Sequence, residues 1–517
     1  MTEVLDKPAP GGGTRGVARG GLANLAGSAL AGGAGVVVTW VLARSLGAEQ
    51  AGAFFAATAA FVLTGGLAKL GTQTGLVYWP ARLRATGREH LLGACLRTGL
   101  VPVVVLSIVL AVAMWLGAPA IAQVTAREAE HVIDAHTAGL RVLAAFLPLQ
   151  ALTDALLTAT RGYRAMRPTV LLDRVLRSAL QLLLVGAAGV AALWTAGSIS
   201  AFALAWALPY LPVTVLSAYA LRKVYLAGRP PGRTTRRVER RGLRREFWRF
   251  TGPRALASVA QLALQRVDVL LVAALGGLAP AAIYAVAGRF VVLIQFANQG
   301  IAQSVQPRLA EALTVGDRRT ANHLYQTATG WLVLVTWPIS LLVIFFAPLW
   351  LRLFGDRYAA EGSAVVAVLA AAMLVATGCG MVDMVLAMAG RTSWNLANVL
   401  VALAVTVGLD VLLIPRYGAL GAAIGLACSM VANNLLPLIQ VGRSVGLHPF
   451  GRGTRVAALL ALACFGVLPW AVVAVAGAGP PGRTLAMLAA VPAFLAGTWL
   501  LRVPLALDAF KPMRRTS

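Results

Sequence analysis

The chain has 517 residues, 59% of them hydrophobic and only 12% charged, and a formal net charge of +26. That much apolar material excludes a water-soluble core as its main use, because one helix crossing about 30 Å of hydrocarbon takes roughly 20 such residues. The positive charge would suit a nucleic-acid binder, but the basic residues are spread over many short loops without interleaved aromatic platforms, so no nucleic-acid partner is expected.

A Gly/Pro-rich tail over residues 1–20 leads into fourteen predicted spans, at about 22–43, 51–79, 98–118, 138–160, 172–195, 199–221, 252–276, 279–303, 328–350, 362–388, 394–413, 418–441, 456–478 and 484–507. The first apolar stretch exceeds a signal-peptide core and thirteen more follow, so no cleaved signal is expected. The fold class is an all-α polytopic membrane protein. Loops alternate between high and low positive charge, with 35 of the 45 Lys and Arg on one side, seven on the other and three deep inside spans. Basic residues stay on the cytoplasmic side during insertion, which places both termini there. Arg outnumbers Lys 41 to 4, in keeping with a GC-rich genome and a bacterial source.

The chain repeats itself. The stretch "LGAEQAGAFF" from Leu46 leads through a polar helix to Pro80, Arg82 and Leu83, and "LGGLAPAAIY" from Leu275 leads in the same way to Pro307, Arg308 and Leu309. "RGYRAM" around Gly162 matches "AGRTSW" around Gly390, and Gly197 matches Gly418, so the displacement is 221 to 230 residues, or six spans. An even number gives two parallel six-helix repeats related by an axis along the membrane normal. The expected organisation is a cytoplasmic tail (1–20), an N-lobe (21–221), a basic linker (222–250), a C-lobe (251–441), two additional helices (442–507) and a second tail (508–517), with the substrate path between the lobes. From Arg222 to Arg249 the linker holds eleven basic and two acidic residues, which suits attraction to anionic lipid headgroups, although simple topogenic anchoring explains it about as well.

Polar residues at helical spacing mark the predicted path. Span seven carries Ser258, Gln261, Gln265 and Asp268 on one face; span eight carries Gln295, Asn298, Gln299, Gln303 and Gln306; span two carries Lys69, Thr72 and Gln73. Such stripes also glue helices together through hydrogen bonds. The deep cations are Lys69, Arg266 and Arg289, and the deep anions considered are Asp154, Asp268 and Asp383. A charge at the bilayer centre costs about 2.5–3.5 kcal/mol or more unless it meets water or a partner. One reading is interhelical pairing, for instance Asp268 with Arg289. The other gives the cations to a phosphate-bearing headgroup and Asp154, Asp268 or Asp383 to a coupling proton or sodium ion, with Arg97, Arg174 and Arg177 forming a basic cytoplasmic entrance.

Small residues at Ala23, Gly27, Ala31 and Gly35, and at Gly421 and Gly425, read as close helix packing. Cys95, Cys379, Cys428 and Cys464 form no CxxC pair, and the five histidines fall in loops or at helix ends, so no disulfide framework, metal site or cofactor is expected.

The stretches "LANLAGSALAGGAGVVVTWVLARSLGAEQAGAFFAATAAF", "VDVLLVAALGGLAPAAIYAVAGRF" and "LLIPRYGALGAAIG" resemble the polysaccharide flippase family of the multidrug/oligosaccharidyl-lipid/polysaccharide exporter superfamily, over nearly the whole chain. The resemblance implies two six-helix lobes plus two helices and a cationic cavity. It also implies export of an undecaprenyl-diphosphate-linked oligosaccharide by alternating access, for cell-surface polysaccharide biosynthesis. A polyprenyl-diphosphate-linked glycan is then the ligand, and a polysaccharide polymerase or glycosyltransferases are the implied partners. Ion-coupled drug exporters share the architecture and are the competing reading. A membrane-embedded polymerase or glycosyltransferase is a third. The longest outer loop has only some twenty residues (119–137), and no paired carboxylates, nucleophile triad or phosphate-cradling glycine loop is present, so no enzyme is expected.

Overall fold

The computed structural model describes residues 13–126, 129–163, 165–195, 197–227, 237–477 and 479–507. Most of the two tails and residues 228–236 of the basic linker lie outside the described residues. Among those described there is no strand. In lipid, backbone N–H and C=O groups must be satisfied within the segment, and long apolar runs do so as helices.

The helices are α1 (Gly13–Ala68), α2 (Thr72–Ala85), α3 (Leu92–Thr125), α4 (Ile133–Gly162), α5 (Ser178–Ala191), α6 (Ile199–Ala207), α7 (Tyr210–Ala227), α8 (Arg237–Leu275) and α9 (Leu278–Val315). They continue as α10 (Arg318–Arg352), α11 (Asp356–Gly378), α12 (Val382–Met388), α13 (Thr392–Ser444), α14 (Arg452–Ala461), α15 (Leu468–Ala476) and α16 (Pro480–Leu500). A wide π-helical turn, Thr169–Arg177, runs into α5.

Among the described residues, ten stretches are long and apolar enough to cross a membrane. Two of the ten, Gly27–Ala85 (59 residues) and Thr392–Ser444 (53 residues), are between two and three times the length of roughly 20 residues that one crossing needs. Each is interrupted by a non-helical glycine, Gly47 in α1 and Gly418 in α13. The second predicted span, 51–79, is also not continuous: α1 ends at Ala68 and α2 starts at Thr72. Between them Leu70 (φ 49°) and Gly71 (φ 66°) are both left-handed, a conformation that costs leucine about 1–2 kcal/mol.

Gly47 has φ 73° and ψ 175°, and Gly277, 230 residues further on at the start of α9, has φ 94° and ψ 172°. Only glycine adopts these angles at little cost. A Cβ at Gly47 would meet nothing within 4 Å, so Gly47→Ala isolates the backbone penalty. We expect it to lower stability by about 1–3 kcal/mol, read as an earlier unfolding transition of the purified protein.

The chain divides into two compact units. Unit 1 comprises 1–45, 60–122 and 134–259; unit 2 comprises 46–59, 123–133 and 260–517. The basic stretch of the linker that is described belongs to α8 itself: in unit 1, Leu243 and Phe247 are buried while Arg240, Arg241, Arg244, Arg245 and Arg249 are exposed. Its i, i+4 apolar pair therefore anchors the helix and leaves the arginines outward. In unit 1, α3 presents Val101, Val105, Ile108, Val112 and Leu116 outward, each about half exposed or more, as expected of a lipid-facing stripe. In unit 2, α14 to α16 pack on α10 through Leu334 with Ala457 and Phe345 with Ala486.

Candidate functional site

Two polar clusters lie within these apolar bundles, one in each unit.

In unit 1 the helix break places Lys69 at the end of α1, where Thr72 fixes its carbonyl twice, through N–H (2.9 Å) and Oγ1 (2.7 Å). The Lys69 ammonium donates to Asp154 Oδ2 on α4, with the two side chains 16% and 28% exposed. The sequence assigned these two residues to different tasks, one to the substrate and one to the ion; the structure pairs them. Asp154 also acts electrostatically on Arg161 and Arg177. The π turn gathers further charges, with Arg177 Nε donating to Asp173 Oδ1 at 2.7 Å and its guanidinium lying 5.5 Å from the Tyr210 ring centroid. Arg177 also donates to Gln181 Oε1 at 3.1 Å, and Arg174 donates to Ser28 Oγ of α1. A Cβ at Gly27 would lie 3.3 Å from the Arg174 Cβ, so the small residue lets the π turn approach α1.

Unit 1 thus collects Lys69, Arg161, Arg174 and Arg177 around Asp154 and Asp173. Among the described residues, the Nε atoms of Arg161 and Arg174 are buried without a hydrogen-bond partner. Buried donors without partners are costly, and an anion with several oxygens would satisfy them. Arg174 and Arg177, read as an entrance, are therefore part of the same cluster as Lys69, whereas Arg97 stands exposed on α3 and Gln73 exposed on α2. Arg161 was counted only as a loop residue in the sequence; its place seven residues after Asp154 was the available signal.

In unit 2, Asp268 of α8 is 4% exposed and accepts from the Tyr284 hydroxyl on α9 and from the Val269 N–H at 2.8 Å. Its hydrogen-bonding side chain is thus Tyr284, in place of the suggested Arg289. The four-residue stripe of span seven is divided, with Ser258, Gln261 and Gln265 exposed and Asp268 turned inward. Arg266 and Arg289 are close enough to repel one another, and the Arg289 Nε is buried without a hydrogen-bond partner among the described residues. Gln295 is exposed on α9, where Gln299 follows one turn later. Asp383 stands apart on α12, with its carbonyl accepting from Asn395 at 2.9 Å.

The sequence reading overlooked Asp410 on α13. It is fully buried, neither carboxylate oxygen has a hydrogen-bond partner among the described residues, and it interacts electrostatically with Asp268 and Tyr284. A Cβ at Gly425 would lie 2.2 Å from its Oδ1, so that glycine makes room for the carboxylate. Two carboxylates close enough to interact in an apolar interior are ionised together only if a cation compensates them, and are otherwise neutralised by a proton.

The fold is shared with solved transporters. An inward-closed structure of the lipid II flippase MurJ is similar with a TM-score of 0.72 at 12% identity, over 94% of this chain and 99% of that one. An inward-facing multidrug resistance MATE family transporter of the MOP superfamily is similar with a TM-score of 0.63 at 17% identity, over 82% and 94%. A MOP superfamily transporter from Pyrococcus furiosus gives 0.53 at 16% identity, over 86% and 95%. No curated protein sequence matches the chain. Residues 253–412 match the MatE family. Residues 17–313, more than half of the chain, match the family described as polysaccharide biosynthesis protein, and this multi-pass membrane protein belongs to that family.

Proposed function

We propose that this protein is a flippase that moves an undecaprenyl-diphosphate-linked oligosaccharide from the inner to the outer leaflet of a bacterial plasma membrane by alternating access, with both termini cytoplasmic. The observation that carries this reading is the cation surplus of the unit 1 cluster, four basic groups around two carboxylates, with buried guanidinium N–H groups awaiting acceptors. Guanidinium and ammonium groups are suited to a diphosphate, which offers several oxygens and more than one negative charge. Arg266 and Arg289 of unit 2 contribute a second pair of mutually repelling cations.

Asp268 and Asp410 are the coupling pair in this reading, sharing a proton or a sodium ion. The exposed arginines at the start of α8 attract anionic headgroups, each contributing about 1 kcal/mol near the surface. The N-lobe (21–221), linker (222–250), C-lobe (251–441) and added pair (442–507) remain the proposed functional divisions, and enzymes that build or polymerise the lipid-linked glycan the proposed partners. Catalysis has no place in the mechanism.

The match of residues 253–412 to MatE favours one alternative, an ion-coupled exporter of small molecules. Reconstitution separates the two. In vesicles carrying a fluorescent polyprenyl-diphosphate sugar, the triple variant Lys69→Ala, Arg266→Ala, Arg289→Ala should flip the lipid at least about tenfold more slowly than the wild type. An unchanged rate removes these cations from the binding role, and wild-type drug transport without lipid translocation selects the exporter.

A further inference from the structure

We propose that Asp154 is a built-in surrogate for a phosphate at Lys69, and that an incoming diphosphate displaces this carboxylate onto Arg161. The assignment of the diphosphate to a lipid headgroup rests on the flippase reading, whereas the exchange itself does not.

The pair is not a sealed structural bridge. Its side chains keep 16% and 28% of their exposure, so a polar ligand reaches both. The lysine is also held at a costly point of the backbone: Leu70 and Gly71, the next two residues, are left-handed, and the Thr72 N–H and hydroxyl grip the Lys69 carbonyl. Such strain persists where the surroundings enforce it, commonly at a ligand clamp. Asp154 has somewhere to go. Arg161 lies seven residues along the same helix face, already feels the Asp154 charge, and has a buried Nε without a partner. The Arg161 guanidinium otherwise donates to Thr158 Oγ1 at 2.7 Å, leaving donors to spare. The charge count closes as well. With the site empty, Asp154 neutralises Lys69; with a doubly charged diphosphate on Lys69, the four cations face four negative charges from Asp154, Asp173 and the ligand.

Competition makes an unusual prediction, since removing a charged residue from the site should strengthen binding. Purified full-length protein is titrated with two probes, inorganic diphosphate and farnesyl diphosphate. Asp154→Asn should bind the accepted probe about tenfold more tightly than the wild type. Lys69→Gln should bind more weakly, and adding Asp154→Asn to it should restore little. Asp134→Asn, which removes an equal charge from the exposed first turn of α4, twenty residues from Asp154, should stay within about twofold. Unchanged or weaker binding by Asp154→Asn overturns the proposal, as does equal tightening by Asp134→Asn, which would reduce the effect to bulk charge. If asparagine does not fold, Asp154→Ser must give the same tightening. Tightening for farnesyl diphosphate alone assigns the site to a lipid headgroup, tightening for both assigns it to diphosphates in general, and the exchange stands in either case. Tightening without lipid translocation in vesicles sinks the flippase reading alone. Full translocation with no tightening sinks the exchange alone.

Discussion

Gly52→Ala is expected to destabilise the protein by about 3 kcal/mol, more than any other single methyl group added to α1. Gly52 lies in the part of α1 that belongs to unit 2, and a Cβ there would stand 1.8 Å from the Leu278 carbonyl oxygen and 2.5 Å from its carbon. These are backbone atoms at the start of α9, so no rotamer change can relieve the overlap and one helix must shift against the other. Gly33→Ala supplies the control. Nothing lies within 4 Å of its Cβ, and alanine is the better helix former, so that variant should be neutral or slightly more stable. Thermal unfolding in detergent compares the two directly, and equal midpoints would refute the packing argument.

The second large effect is expected at the paired carboxylates. Asp268→Asn or Asp410→Asn should reduce ion-driven translocation at least about tenfold while leaving exchange without an ion gradient in place, because in the proposed reading the two carboxylates share the coupling ion and each change takes one of them away. Gly425→Ala should produce a partial loss, since its Cβ would press on Asp410 Oδ1 at 2.2 Å and shift the carboxylate without removing it. Ion flux and lipid movement measured in the same vesicles decide this. If both asparagine variants keep wild-type ion dependence, the coupling site lies elsewhere.

Hydropathy made the membrane fold legible, because an apolar run of span length has few alternatives in lipid. The repeated "LGA" and "LGG" turns correctly pointed to backbone breaks, now seen as the shared conformation of Gly47 and Gly277. The break at Lys69 was not read, since the sequence around it stays mixed and leucine gives no warning of a left-handed conformation. Deep charges were found by type and missed by partnership. Lys69 and Asp154 are 85 residues apart, and no local spacing rule joins them. Asp410 did leave a signal, a carboxylate within the apolar run "VALAVTVGLDVLLI", and it was overlooked because it fell close to the predicted end of its span. The stripe Ser258, Gln261, Gln265 and Asp268 shows the limit of periodicity: one helical face meets solvent-exposed surroundings along most of its length and the buried Tyr284 hydroxyl at its end.

The bridge between Lys69 and Asp154 also constrains how the chain is made. The ribosome delivers the lysine 85 residues ahead of its partner, an interval of roughly 4–17 s at about 5–20 residues per second. Throughout that time α1 carries an uncompensated ammonium group that hydrocarbon rejects, whereas α3, completed in the interval, has a wholly apolar outer stripe and can enter lipid unaided. Release of the Lys69 segment from the insertion machinery is therefore tied to the arrival of α4, and a stall placed between the two should leave the early segment shielded beside the translocon.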